Sequence, residues 1–244
     1  MNSDFSIAID DQKIATITWN CEKKSMNVLS FEALETLEKL IDQVIEDENI
    51  TACILTSGKK DFAAGMDLNV LAQLKQSAGE NPAEGVFNGV MKMHAILRKI
   101  ELAGMDPKTK KGGKPIVSVL PGTALGIGLE IPLSTHRIFA ANNPKAKIGL
   151  PEILVGLFPG AGGTTRLVRK LGAMAASTYL LEGKTIAPSK AQSAGIIDQV
   201  DEDPMKAARE WALNATEGDL VKPWDQKGYK IPGGTPYTPN GFMT

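Results

Sequence analysis

Two glutamates in glycine-rich segments are the strongest candidates for acid–base chemistry. Glu130 ends the segment 122–130 (GTALGIGLE), and Glu152 follows Pro151 in the segment 149–163 (GLPEILVGLFPGAGG). A carboxyl group can move a proton while nearby free backbone amides stabilise negative charge that develops on an oxygen atom. Either glutamate alone is equally compatible with a surface helix cap, whereas the pair in such loops favours general acid–base catalysis.

A third glycine-bearing segment, residues 62–68 (FAAGMDL), precedes these two. Glycine loops that follow strands can aim backbone N–H groups at an anion. The dinucleotide-binding pattern GxGxxG fails here, because Ile131 and Thr165 stand where its third glycine is required. The phosphate-loop pattern GxxxxGK[ST] does not occur either. The glycine loops therefore serve a different purpose.

The elements that must position these loops follow an α/β pattern. Residues 5–9 and 14–19 alternate apolar and polar side chains and predict a hairpin, and Ser30 is a predicted helix N-cap. Short apolar runs predict buried strands, and apolar residues at helical spacing predict helices between them. The predicted later strands are 52–55, 115–120, 137–140 and 196–200, and the predicted helices are 31–45, 86–100, 165–171, 173–181 and 204–215. A short helix is predicted to begin at Asp67.

Composition excludes several classes of protein. The chain has 244 residues, of which 43% are apolar and 23% charged, and its net charge is −1. Such a balance gives no electrostatic basis for binding nucleic acid, and no apolar run is long enough for a membrane span. With two cysteines and two histidines, neither a disulfide framework nor a dedicated metal site is expected. A cytoplasmic location is the default for such a chain.

The segments FAAGMDL, GTALGIGLE and GLPEILVGLFPGAGGTTRL, in this order, resemble the crotonase, or enoyl-CoA hydratase/isomerase, superfamily. Within it, the chain is most similar to the N-terminal hydratase part of multifunctional fatty-acid oxidation alpha subunits. The resemblance implies a crotonase (ClpP-like) α/β fold of stacked ββα repeats, with a truncated C-terminal helical region. The expected organisation is a hydratase-like core at 1–200, a C-terminal helix at 201–216 and a Gly/Pro-rich tail or linker at 217–244.

The resemblance also implies roles for individual residues. Family hydratases place their catalytic glutamates where Glu130 and Glu152 stand. Their oxyanion hole consists of two backbone N–H groups, which correspond here to those of Met66 and Ile127. Residues expected to contact the substrate or its CoA portion are Ala64, Gly65, Asp67, Gly126, Leu157 and Phe158. No metal is implied, and no cofactor is needed because coenzyme A is part of the substrate.

The implied function is hydration of 2-enoyl-CoA in fatty-acid β-oxidation. The alternatives are an enoyl-CoA isomerase, which can work with a single acid, and a weakly active CoA-binding or assembly fragment. The implied partners are an acyl-CoA thioester and either further copies in a trimer-based homo-oligomer or a dehydrogenase domain and thiolase subunit.

Two features depart from the family pattern. Ile127 stands where a glycine is usual, so a glycine there is expected to leave activity equal or higher. The segment from Glu217 holds five Gly and four Pro in its 28 residues and is expected to be mobile or to lie along a neighbouring chain. Apolar surface left uncovered is expected to cause self-association and weak binding of CoA esters.

Overall fold

A six-stranded sheet organises the molecule. The computed structural model describes residues 4–67, 81–235 and 237–238. The strand order is β1-β2-β4-β6-β8-β11, in which β1 and β2 form an antiparallel hairpin and the other neighbours are parallel. The strands of this sheet are β1 (Phe5–Ile9), β2 (Ile14–Trp19), β4 (Ala52–Ser57), β6 (Ile116–Leu120), β8 (Arg137–Ala141) and β11 (Gln199–Asp201).

Short strands beside this sheet form the framework of the glycine loops. One small sheet pairs β3 with β5, and the other has the order β10-β9-β7. These strands are β3 (Val28–Leu29), β5 (Gly65–Met66), β7 (Ala124–Leu125), β9 (Ile148–Gly149) and β10 (Thr185–Ile186). The described helices are α1 (Phe31–Glu46), α2 (Pro82–Leu102), α3 (Ile127–Ser134), α4 (Gly163–Leu171), α5 (Ala173–Leu181), α6 (Pro188–Ser193) and α7 (Pro204–Asn214).

Helices cover both faces of the six-stranded sheet. The larger core joins one face to α1, α2 and α3, and includes Trp19, Leu37, Ile100 and Leu129. The smaller core packs α7 on the opposite face, where Ala208 contacts a cluster that includes Phe139. Burial on both sides explains why the parallel strands are continuous apolar runs. Within the described ranges, no helix is long and apolar enough to cross a membrane.

Local signals placed most elements correctly. The hairpin is confirmed, with Asp10 Oδ1 accepting hydrogen bonds from the N–H groups of Gln12 and Ile14. Ser30 caps α1 as predicted, and its Oγ accepts a hydrogen bond of 3.1 Å from Ala33 N–H. The predicted strand 196–200 is wrong in position, because Ile196 and Ile197 are buried in a turn and the strand is Gln199–Asp201. The helix predicted to follow Asp67 lies outside the described residues.

Described residues of the segment after α7 pack against their own chain, so for residues 217–235 the expectation of a tail that is mobile or lies along a neighbour requires correction. Two turns of 3₁₀ helix, Glu217–Leu220 and Pro223–Asp225, interrupt it. Lys222 is buried and its Nζ donates a hydrogen bond to the Leu133 carbonyl at 3.2 Å, at the C-terminal end of α3. Composition indicated little regular structure here, whereas these long-range contacts fix part of the segment in place. The proposed boundaries of core, helix and tail remain predictions.

Candidate active site

One cavity brings together every site residue that the sequence predicted. Its volume is about 780 Å³, and it opens between the β5 segment, the N-terminus of α3 and the 3₁₀ turn Glu152–Val155. The predicted residues that line it are Ala64, Gly65, Met66, Asp67, Gly126, Ile127, Glu130, Glu152, Leu157 and Phe158. Among the described residues, no cluster of His, Cys, Asp and Glu could hold a metal ion. The cavity is largely apolar, and its carboxyl groups are those of Glu130, Glu152 and, at the opening, Asp67.

Glu130 is buried in the first turn of α3 and is held by backbone amides from the next loop. Its Oε1 accepts hydrogen bonds from Ala161 N–H at 2.9 Å and Gly163 N–H at 2.7 Å. Burial raises the pKa of this carboxyl to about 7, the charge of Glu152 adds to the increase, and the two amides and Arg166 oppose it. A carboxyl with a pKa near neutrality can both give and accept a proton.

Glu152 begins the 3₁₀ turn that follows Pro151. Burial raises its pKa as well, and its Oε2 is buried without a hydrogen-bond partner in the described part of the chain. Gly126 makes room for this carboxyl: a Cβ at position 126 would lie 3.2 Å from Glu152 Oε1, and its φ of +56° is one that other residues rarely adopt. The two carboxyls thus share one poorly solvated space.

The N–H groups of Met66 and Ile127 belong to segments that touch each other. In a parallel ladder, successive N–H groups point to opposite sides. Because Asp67 N–H bonds to Leu29 O, the Met66 N–H points away from β3. Ile127 is the first residue of α3, where an N–H group has no acceptor within the helix. Both groups are therefore available as donors, and the positive end of the α3 dipole lies beside them.

Close contact between these segments depends on Gly128. A Cβ at position 128 would lie 2.7 Å from the Cβ of Ala63 and 3.1 Å from the Ala63 carbonyl oxygen, so no larger residue fits without displacing the loop. This glycine lies within the motif 122–130, but the sequence does not indicate its role. Its function is to let α3 approach the segment that ends in Met66.

Asn27 is a supporting residue whose role the sequence did not reveal. Its side chain is fully buried, and its amide nitrogen donates to the carbonyls of Trp19 at 3.0 Å and Phe62 at 2.9 Å. Its Oδ1 accepts a hydrogen bond from Cys21 N–H at 2.9 Å. These bonds tie the segment 62–66 to β2, which fixes the position of the Met66 amide. No local pattern marks them, because the partners come from separate loops.

The predicted binding residues divide into a polar and an apolar rim. Asp67 forms an ion pair with Lys24 at the polar side of the opening, and Ala64 and Gly65 supply backbone next to it. Phe158, which is 72% exposed, and Leu157 form the apolar side. A polar part and an apolar part of the rim suit a ligand that itself has a polar part and an apolar part.

The raised pKa of Glu130 predicts a specific dependence of stability on pH. Its native pKa of about 7 exceeds the ordinary glutamate value of 4.5, so the native state holds the proton more tightly than the unfolded state does. The stabilisation is therefore full below about pH 4.5 and is lost as the pH rises toward 7. Glu130→Gln keeps an Oε1 acceptor for both amides and does not ionise. The variant should exceed the wild type in stability at pH 8, by up to about 3 kcal/mol, and match it near pH 4.5.

Urea unfolding of both proteins at pH 4.5, 6 and 8 measures this difference. Asp67→Asn serves as a control, because it removes a carboxyl from the rim instead of the cavity floor. Parallel stability curves for wild type and Glu130→Gln would show that Glu130 ionises in the native state as readily as in the unfolded chain.

Ile127 contributes packing as well as an amide. Its side chain is 3% exposed and belongs to the larger core. The expectation that Ile127→Gly leaves activity equal or higher must therefore be separated from stability. We expect the variant to keep its rate per folded molecule while losing about 3 kcal/mol or more of stability. Ile127→Val, which keeps most of the side chain, is the control. A large rate loss at unchanged stability would show that this side chain positions the substrate.

The cavity thus combines the carboxyls of Glu130 and Glu152, two backbone N–H groups and an apolar lining on an α/β framework. The family model described as enoyl-CoA hydratase/isomerase matches residues 10–218. The chain belongs to the enoyl-CoA hydratase/isomerase family. This result confirms the predicted superfamily and α/β fold class.

Among characterised relatives, the fatty acid oxidation complex subunit alpha of Shewanella oneidensis is 31% identical over 201 residues, which cover 82% of this chain and 26% of that protein. The glyoxysomal fatty acid beta-oxidation multifunctional protein of Cucumis sativus is 31% identical over 201 residues, which cover 82% of this chain and 25% of that protein. The chain spans about a quarter of the length of these relatives.

Solved structures show the same fold. The enoyl-CoA hydratase of Bacillus anthracis has a TM-score of 0.69 at 27% identity, covering 91% of this chain and 81% of that chain. The enoyl-CoA hydratase of Thermoplasma volcanium has a TM-score of 0.74 at 25% identity, covering 90% of this chain and 81% of that chain.

Proposed function

We propose that the protein adds water across the double bond of 2-enoyl-CoA thioesters in fatty-acid β-oxidation. The observation that supports this most directly is the pair Glu130 and Glu152 in one cavity, with burial raising the pKa of both carboxyls. Hydration needs a group that takes a proton from water and a group that gives one to carbon. Two carboxyls with raised pKa values can divide these tasks.

The amides of Met66 and Ile127 are proposed to stabilise the intermediate charge. When the water oxygen bonds to C3, the electron pair of the double bond moves toward the thioester carbonyl and forms an enolate. Two preorganised N–H donors at this oxygen lower the barrier, each by roughly 3 kcal/mol. Protonation at C2 then restores the carbonyl. One glutamate takes the proton from water, and the other supplies the proton at C2. This chemistry requires neither a metal ion nor a redox cofactor.

Isomerisation of a 3-enoyl-CoA is the second candidate, and the family includes it by name. Moving a double bond needs one group to carry a proton between C2 and C4, so a single carboxyl can be sufficient.

Two substrates distinguish the activities. Loss of the double bond of crotonyl-CoA measures hydration, and formation of 2-enoyl-CoA from a 3-enoyl-CoA measures isomerisation. Greater turnover of crotonyl-CoA supports hydration as the main activity, whereas turnover of the 3-enoyl-CoA alone would contradict it. Binding of either ester without turnover would identify a CoA-binding module.

The proposal includes assembly and location. Exposed apolar side chains surround the cavity opening, among them Leu154, Val155 and Phe158, which are 69%, 66% and 72% exposed. Surfaces of this kind mark contacts with other chains. A trimer-based homo-oligomer, or contact with a dehydrogenase domain and a thiolase subunit, would cover them. We place the protein in the cytoplasm, where its free, buried Cys21 and Cys53 would stay reduced.

The exposed rim predicts self-association of this chain in isolation. Sedimentation across a range of concentrations should show oligomers, because burying the rim removes apolar area from water. Replacing Leu154 and Phe158 together by serine should shift the population toward monomers. Leu213→Ser, at an exposed apolar position of α7, is the control. A monomer at every concentration would contradict this prediction.

A further inference from the structure

A buried ion pair lies directly behind the loop that holds Glu130. Arg166 of α4 and Glu101 of α2 are 7% and 3% exposed, and Arg166 Nε donates to Glu101 Oε1 at 2.9 Å. Removing two charged groups from water is costly, and such a pair is often no more stabilising than a well-packed apolar pair. The pair therefore calls for an explanation other than stability.

The hydrogen bonds of Arg166 lead to the carboxyl of Glu130. Arg166 Nη1 donates to the Ala161 carbonyl at 3.1 Å, and the Ala161 N–H donates to Glu130 Oε1 at 2.9 Å. Gly163, in the same turn, donates the second bond to Oε1. His94 of α2 also contacts the turn, through Nε2 and the Gly160 carbonyl oxygen at 2.7 Å. The side chains of Arg166 and His94 thus hold the turn 160–163, and the amides of this turn hold the Glu130 carboxyl.

Glu101 is itself fixed by a second arginine. Arg98 Nη1 donates to Glu101 Oε2 at 2.9 Å, and the Arg98 guanidinium forms a bidentate pair with Asp225 at 2.7 and 2.9 Å. Bidentate guanidinium–carboxylate pairs have a fixed geometry. A continuous set of charged contacts therefore runs from Asp225, in the segment after α7, to the turn that contacts Glu130.

We propose that Arg166, oriented by Glu101, is a positioning residue that holds the turn 160–163 so that its amides fix Glu130 Oε1 and direct the other carboxyl oxygen into the cavity. The proposal rests on the proposed role of Glu130 in hydration. Arg166 acts through the turn and does not line the catalytic cavity.

The charged and titratable groups around Glu130 determine how its pKa should change when Arg166 no longer holds the turn 160–163. The amides of the turn and the charge of Arg166 favour the ionised carboxyl, whereas burial and Glu152 disfavour it. Loosening the turn should therefore raise the pKa of Glu130. The groups that face it from the surrounding elements are Glu152, Arg166 with Glu101 behind it, and His94, together with Lys24 and Asp67 at the rim.

Two variants separate positioning from folding. Arg166→Met removes the support and leaves Glu101 next to Arg98. The double variant Glu101→Met/Arg166→Met removes both buried charges, so no unpaired charge of this pair remains to destabilise the protein. Lys170→Met is the matched control. Lys170 lies on the same helix as Arg166 and pairs with Asp198, and neither of these two residues contacts the turn 160–163 in the described hydrogen bonds.

The primary measurement is the pKa of Glu130 in the ligand-free protein, by NMR of protein labelled with ¹³C at the glutamate carboxyl. Glu130→Gln assigns the resonance. We expect both Arg166 variants to raise this pKa by about one unit and to move the pH–rate profile to higher pH by the same amount, with KM unchanged. Lys170→Met should leave both unchanged.

An unchanged Glu130 pKa in a folded double variant would overturn the proposal. Because the titration needs no turnover, it tests the positioning role of Arg166 independently of the proposed hydration. A shifted pKa in a protein that does not hydrate crotonyl-CoA would reject the proposed function and keep the positioning role. Normal hydration of crotonyl-CoA by the variants, with an unshifted Glu130 pKa and an unshifted pH–rate profile, would keep the proposed function and reject the positioning role.

Discussion

Glu130→Gln and Glu152→Gln are each expected to lower the rate of crotonyl-CoA hydration by at least ~10²-fold, with little change in the binding of CoA esters. Each substitution removes a proton-transfer group and keeps its shape. For Glu130, glutamine retains an acceptor for the amides of Ala161 and Gly163, so the surrounding loop should stay in place. Steady-state rates and titration with a CoA ester separate turnover from binding.

The double variant and a surface control make this test sharper. Because both carboxyls act on one reaction, the double variant should be little slower than the slower single variant. Glu35→Gln breaks an exposed ion pair with Lys92 and should leave the rate unchanged. Near-wild-type turnover in either single variant would mean that the glutamate concerned carries no proton.

Met66→Pro is expected to reduce the rate by roughly 10²–10³-fold, because proline has no N–H group to donate to the enolate oxygen. The Met66 side chain is only half-buried, and the N–H points away from the β3 ladder, so the donor is the main loss. Crotonyl-CoA kinetics measure the effect.

Met66→Ala is the control, since it shortens the side chain and keeps the donor. Circular dichroism must show that the proline variant is folded, because proline can also disturb the loop that Asn27 holds. Equal rate losses in the two variants would show that the side chain matters and the amide does not.

The sequence predicted those elements whose signals are local. The cap at Ser30 and the alternation in the first hairpin depend on residues a few positions apart, and both were correct. The strand expected at 196–200 was misplaced because Ile196 and Ile197 are as apolar as strand residues yet lie in a buried turn. Apolarity reports burial, and it does not by itself distinguish a strand from a buried turn.

The candidate site shows the same division. The predicted residues of the cavity could be found from the glycine motifs, because each motif is continuous in sequence. The ion pair of Arg166 with Glu101 could not be found in this way, because its partners are 65 positions apart and no spacing rule joins them. The contacts of Lys222 with the end of α3 span 89 and 87 positions. Composition described the segment after α7 as poor in regular structure and gave no sign of these partners.

Hydration of crotonyl-CoA in isotopically labelled water tests directly whether the protein adds water across the double bond. The reaction is run once in H₂¹⁸O and once in D₂O, and the product is analysed by mass spectrometry and NMR. We expect a 3-hydroxyacyl-CoA with one ¹⁸O at C3 in the first solvent and one deuterium at C2 in the second. Incorporation of both labels should be at least ~10²-fold slower when Glu130 or Glu152 is replaced by glutamine. If crotonyl-CoA binds and is recovered without either label, the proposed hydration is wrong.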